Sequence, residues 1–206
     1  MKVILPENVS EITLEQFQRY DKLNKRLEDE DITLREYNKR KVNLFAKIPY
    51  HSVDKVTQKD LVSVLELIDT ALEKDAPFES RFMLNNIEFG FIPNLDEVTA
   101  GEFFDLNKYG TEIDTMHNLM AILFRPIVNK DKFKNYTIES YKGTKEYAEM
   151  MKHMPISLVN GALVFFCNLS RELQVYIQKF TDQVQAKGKE HQTFTENMDG
   201  TQPSMN

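Results

Sequence analysis

A chain of 206 residues, 41% hydrophobic and 28% charged, can bury roughly two-thirds or more of its unfolded surface, so folding requires neither a disulfide nor a metal. Its single cysteine, Cys167, excludes an intramolecular disulfide and any cysteine-based zinc or iron–sulfur site within one chain, and suits a reducing compartment. The net charge of −6 is unevenly spread, with 14 acidic against 5 basic residues over 51–114, and so acidic a centre argues against nucleic-acid binding as the main role.

The N-terminal residues 1–12 read as an extended arm whose apolar run before Pro6 is too short for a signal peptide. Thr13 with Gln16 forms a capping-box pattern, and Leu14, Phe17, Tyr20, Leu23 and Leu27 recur at helical spacing, which predicts a helix over 14–28. The carboxylates of Glu28 to Asp31 oppose the negative end of that helix and suit the start of the next. Thr33 with Glu36 opens a second helix over 34–46, basic at Lys39, Arg40 and Lys41 and closed by Pro49. After a linker, Thr57 and Asp60 open a third helix, with Leu61, Val64, Leu65, Ile68 and Leu72 on one stripe.

From Arg81 the pattern changes to that of a β-hairpin, near 80–92, with Asn85 and Asn86 at its positive-φ turn. Thr99 with Glu102 caps a short helix carrying Phe103, Phe104 and Leu106. Another helix is predicted over 112–125, ending before Pro126, with Arg125 complementing the dipole at its C-terminus. A lysine-rich polar connection then runs to Tyr141, followed by a short helix over 144–154 and a long one from Ile156 to Ala186, buried in its first half. Residues 187–206 hold one aromatic, Phe194, and are expected to form a polar, disordered tail. The expected architecture is a mainly α (α+β) single helical domain over 13–186, with one small hairpin and a flexible C-terminal tail.

Several chemistries find little support in the residues. Seven glycines, no two closer than nine residues, exclude a P-loop or dinucleotide fingerprint. The longest apolar stretch, Ile156 to Leu169, has 14 residues, against about 20 for a bilayer span. Asp105, Asn107 and Gly110 match three positions of a calcium loop, but Tyr109 and Met116 occupy positions that need oxygen ligands. His51, His117, His153 and His191 are too dispersed to share a helix face, and His117 reads as an edge-of-core histidine. Cys167, between Phe166 and Asn168, reads as a buried, inert thiol. No catalytic residue, cofactor or metal is expected. Asp96, Glu97, Glu102, Asp105, Arg125 and Phe194 are the candidates for an interaction surface.

Four segments carry a resemblance: PNLDEVTAGEFFDL at 93–106, LMAILFRPI at 119–127, YKGTKEY at 141–147 and MPISLVNGALVFF at 154–166. They resemble small morphogenesis proteins of tailed bacteriophages, including Bacteroidetes-infecting and crAss-like phages. The likeness covers residues 80–185 and, more loosely, ITLEQFQRYDKL at 12–23. The resemblance implies a non-enzymatic virion component of the neck, tail or capsid interior, located in the virion and, during assembly, in the host cytoplasm. Its partners would be other phage structural or assembly proteins, with a homo-oligomer or ring expected and no direct contact with nucleic acid or membrane. The alternative is a tail assembly chaperone that binds a tape-measure protein and leaves before the particle is complete.

Overall fold

The computed structural model describes residues 4–73, 77–94, 97–110, 112–133 and 135–167. The expectations for Asp96, for 168–186 as helix and for the tail with Phe194 lie outside those residues. The chain divides into two compact units, 1–162 and 163–206; of the second, residues 163–167 are described and are helical.

The fold is α+β and mainly α. Helix α1 spans Leu14–Glu28 and α2 spans Leu34–Ala46, with the predicted bounds. The Thr13–Gln16 capping box starts α1, and the Thr33 hydroxyl accepts from the Glu36 amide to start α2. Lys47 adopts a left-handed conformation (φ 53°) that ends α2. Helix α3, Gln58–Leu72, is capped by Thr57 and packs Leu61, Val64 and Leu65 against Val42, Ala46, Ile48 and Val53. Tyr20 and Leu27 pack with Leu23, Ile32 and Tyr37 between α1 and α2. Here Lys41, 5% exposed, reaches Asp69 of α3 and lies 5.4 and 5.8 Å from the Tyr20 and Tyr37 rings, so its charge is paired rather than stranded.

The N-terminal segment docks over part of its length. A 3-10 turn at Val9–Glu11 buries Val9, and Ile12 is 1% exposed. The Ile156 amide donates to the Ile12 carbonyl, and the Leu14 amide to the Met154 carbonyl, each at 2.8 Å. These bonds stitch the start of α1 to the chain entering a further helix, α7, which occupies 156–167 of the described residues.

The predicted hairpin is half of a four-stranded antiparallel sheet in the order β1-β2-β3-β4: Arg81–Leu84, Ile87–Phe91, Phe124–Lys130 and Tyr136–Ile138. Asn85 and Asn86 form its turn at φ 49° and 63°. Between β2 and β3 lie α4, Ala100–Tyr109, and α5, Met116–Leu123; a single turn of helix, α6 (Ala148–Met151), precedes α7.

Two helix expectations are corrected. The helix predicted over 112–125 is a 3-10 turn at Ile113–Thr115 followed by α5, and the chain turns to strand at Phe124. The polar connection that was to follow contains β3 and β4, and the helix predicted over 144–154 is reduced to α6. Pro126 sits inside β3 because its missing donor faces β4, not β2. The Ile92 amide donates to the Leu123 carbonyl, so by antiparallel alternation Phe89 and Pro126 are a non-hydrogen-bonded pair. Pro126 turns its carbonyl to the Glu139 amide, one residue beyond the end of β4.

The core lies between the inner face of this sheet and α5, α6 and the start of α7. Phe89, Phe124, Leu119, Met120, Ile122, Leu123, Met151, Met154 and Ile156 are each below 2% exposed. Phe124 makes edge contacts with Phe82 and Phe91 at ring-centroid distances of 5.0 and 5.2 Å. In α7, burial holds for Ile156, Leu158, Val159 and Ala162, whereas Val164 is 62% exposed. Cys167 is exposed, which corrects the expectation of a buried thiol: the apolar sequence around it does not by itself supply a covering layer.

Candidate functional site

Alternation along β3 sends Phe124 into the core and turns Arg125 the other way, where its side chain meets Glu102 of α4, a helix packed on α5. Arg125 is therefore not a helix C-terminal residue interacting with a dipole, as expected, but a strand residue. Its side chain is 11% exposed, and its Nη2 is 2.6 Å from Glu102 Oε1.

Glu102 holds α4 from both of its oxygens. Oε2 accepts from the Thr99 amide at 2.8 Å and the Thr99 hydroxyl at 2.6 Å, while the Glu102 amide donates back to that hydroxyl, completing the capping box. Oε1 is left for Arg125. Each carboxylate oxygen thus has a partner, which a charged group only 2% exposed requires.

A second tie lies one turn further on. The Tyr141 hydroxyl donates to Asp105 Oδ2 at 2.5 Å, and the Arg125 guanidinium is 5.7 Å from the Tyr141 ring centroid. Burial, followed by the bond to Asp105, pushes the Tyr141 phenol well above its ordinary range, so it stays a neutral donor. Arg125 Nε is buried and has no hydrogen-bond partner among the described residues. Beside it is a small polar recess lined by Glu139, Ser140 and Glu146, and Glu139 accepts from Lys142 at 2.5 Å and from the Tyr147 hydroxyl at 2.8 Å.

The outcome for α4 inverts the usual order: its carboxylate is inside and its aromatics are outside. Phe103 and Phe104 are 57% and 70% exposed, with ring centroids 6.3 Å apart. Burying them would be worth on the order of 1–2 kcal/mol each, and the helix is held instead by Glu102 and Asp105. Glu97, also exposed, accepts from the Asn94 side-chain amide at 2.9 Å.

Of the sequence candidates, Glu102, Asp105 and Arg125 come together in one cluster, with Glu97 just upstream of the cap. Glu102 and Arg125 do not face solvent; they pair with each other through Glu102 Oε1 and Arg125 Nη2. Tyr141, the residue linking Asp105 to Arg125, carries one local signal in the sequence, its place in the 141–147 segment. The calcium-loop match is not realised, since 105–107 are helical, Asp105 is engaged by Tyr141 and the Asn107 amide donates to the Phe103 carbonyl.

His117 is an edge-of-core residue, as expected. The Gln18 amide is 3.1 Å from its Nδ1, and burial, then the Lys152 charge, lowers its pKa from the ordinary value. Among the described residues no group of three or more His, Cys, Asp or Glu side chains is placed to hold a metal ion, and no helix is long and apolar enough to cross a membrane. Comparison of the chain with protein-family models, with curated proteins and with solved structures finds no match in any of the three.

Proposed function

We propose that this chain is a non-enzymatic morphogenesis protein of a tailed bacteriophage, a structural component of the neck, tail or capsid interior that acts through protein–protein contacts. The observation that carries the reading is the inversion of α4, which presents Phe103 and Phe104 to solvent on a helix fixed by a buried ion pair and a tyrosine–carboxylate bond. A rigid helix with exposed aromatic side chains is suited to seat in a neighbour's groove, where such residues supply most of the binding energy. The segments that resemble phage morphogenesis proteins converge on this place: Glu102 lies in 93–106, Arg125 in 119–127 and Tyr141 in 141–147. The fourth begins at Met154, whose carbonyl anchors α1.

Quantitative mass spectrometry of purified particles tests the proposal. A virion component is present at a fixed copy number per particle. Detection in infected cells but not in finished particles would overturn that reading in favour of the tail assembly chaperone.

A further inference from the structure

The acidic centre of this chain has a counterpart on the chain itself. A groove of about 220 Å³ runs between α1 and α2, walled by Arg19, Lys22, Arg26 and Arg40 over Leu23 and Leu44. Two of its cations are engaged, Lys22 with Asp114 at 3.3 Å and Arg40 with Glu36 at 2.6 Å. Arg19 and Arg26 are exposed and form no ion pair among the described residues. They are one heptad apart on α1, about 10.5 Å along the helix axis.

The outer side of α3 carries the complementary pattern. Glu66 and Glu73, the latter at the helix C-cap, are exposed, form no ion pair among the described residues, and are also one heptad, about 10.5 Å, apart. Glu73 stands at a helix C-terminus, where the dipole disfavours a carboxylate. Beside this acidic pair Val62 is 46% exposed, whereas Leu67, five residues on, is turned about 140° from it around the helix. The α1–α2 groove thus has an apolar floor and, among the described residues, two cations without an ion pair, and α3 has one exposed apolar side chain, Val62, beside two anions without one at the same spacing.

We infer that the groove between α1 and α2 receives the outer face of α3 from a second copy of this chain, the free arginine pair meeting the free glutamate pair. The two surfaces are different patches of one molecule, so the contact is heterologous and propagates head to tail into a ring or a filament. Apolar contact of Val62 with the groove floor adds attraction, and the charges fix partner and register. This interface goes beyond the α4 surface and does not depend on where in a particle the protein acts.

Light scattering on the full chain at about 10 mM and about 150 mM salt tests the inference, because the screening length falls from about 30 to about 8 Å between them. The wild type is expected to show at least the mass of two chains at low salt and to fall toward the single-chain 24.1 kDa at higher salt. Arg19→Glu with Arg26→Glu, and separately Glu66→Lys with Glu73→Lys, should each give a monomer with unchanged circular dichroism. Mixing the two variants restores complementary pairs wherever the two alternate, so the mixture should again show at least the mass of two chains. A wild type that stays monomeric at low salt, reversed variants that keep the wild-type mass, or a mixture that remains monomeric would each overturn the inference. So would a groove that binds a short polyphosphate or acidic peptide while the chain shows no self-association.

Discussion

Replacing Arg125 with Met removes the guanidinium and leaves the Glu102 carboxylate 2% exposed, with Thr99 as its remaining partner. Breaking a buried ion pair from one side costs about 3–5 kcal/mol. The two hydrogen bonds from Thr99 still solvate one carboxylate oxygen, which places Arg125→Met near 3 kcal/mol, at the lower end of that range. Glu102→Gln keeps a cap-competent side chain but strands the guanidinium, whose Nε already lacks a partner, and should cost about 4–5 kcal/mol. The double variant, with two neutral side chains of similar length, buries no net charge. It should lie within about 1–2 kcal/mol of wild type, giving a coupling of several kcal/mol in a double-mutant cycle. In a chain of this size about 1 kcal/mol shifts Tm by about 2–4 °C, so the single variants should melt at least about 6 °C lower and the double variant should recover most of the loss. Thermal and urea denaturation read these values. If each single variant loses less than about 1 kcal/mol and the double shows no recovery, the pair behaves as an exposed one, and α4 is not held as described.

Phe104→Ser should leave Tm within about 1–2 °C of wild type, because a surface substitution at a 70% exposed position changes stability by about 0.5 kcal/mol or less. Gly90→Ala should cost about 1–3 kcal/mol by urea denaturation, since an added Cβ would overlap the Tyr136 ring that bonds the Phe91 carbonyl at 2.9 Å. Asn85→Val should destabilise by about 1–2 kcal/mol, because a β-branched residue is strained at the turn's φ of 49°. For His117, the folded pKa lies below 6.5, so the unfolded chain binds the proton more readily. Its contribution to stability is fully present above 6.5 and is lost as pH falls from there through the depressed folded value. Denaturation at stepped pH should show that decline in the wild type and a flatter profile in His117→Gln.

The helices up to residue 72 were legible because their signals are local: a threonine cap, an acid or amide three residues on, and a stripe at 3.6-residue spacing. The hairpin was legible from its Asn-Asn turn for the same reason. The second half of the sheet was not. Ile113, Met116, Leu119, Met120 and Leu123 continue a helical stripe up to Phe124, and Pro126 reads as a helix stop. What makes it a strand residue is the position of β4, which no local pattern encodes. β4 itself is three residues long, too short for a period. Glu102 was half legible. Its capping role follows from the Thr99 spacing, but its ion pair is 23 residues away across α5. That distance also explains why the strand position of Arg125 and the tie through Tyr141 have no local signature.

The exposed aromatic face of α4, proposed above as a contact surface within a phage particle, can be tested in the particle itself. The most direct test is competitive incorporation: wild type and the Phe103→Ser, Phe104→Ser double variant are co-expressed in infected cells at equal levels, and their ratio in purified particles is read by mass spectrometry. The wild type should be incorporated at a fixed copy number and the variant strongly depleted, although both are equally folded in solution. Equal incorporation of the two chains, or particles containing neither, would contradict it.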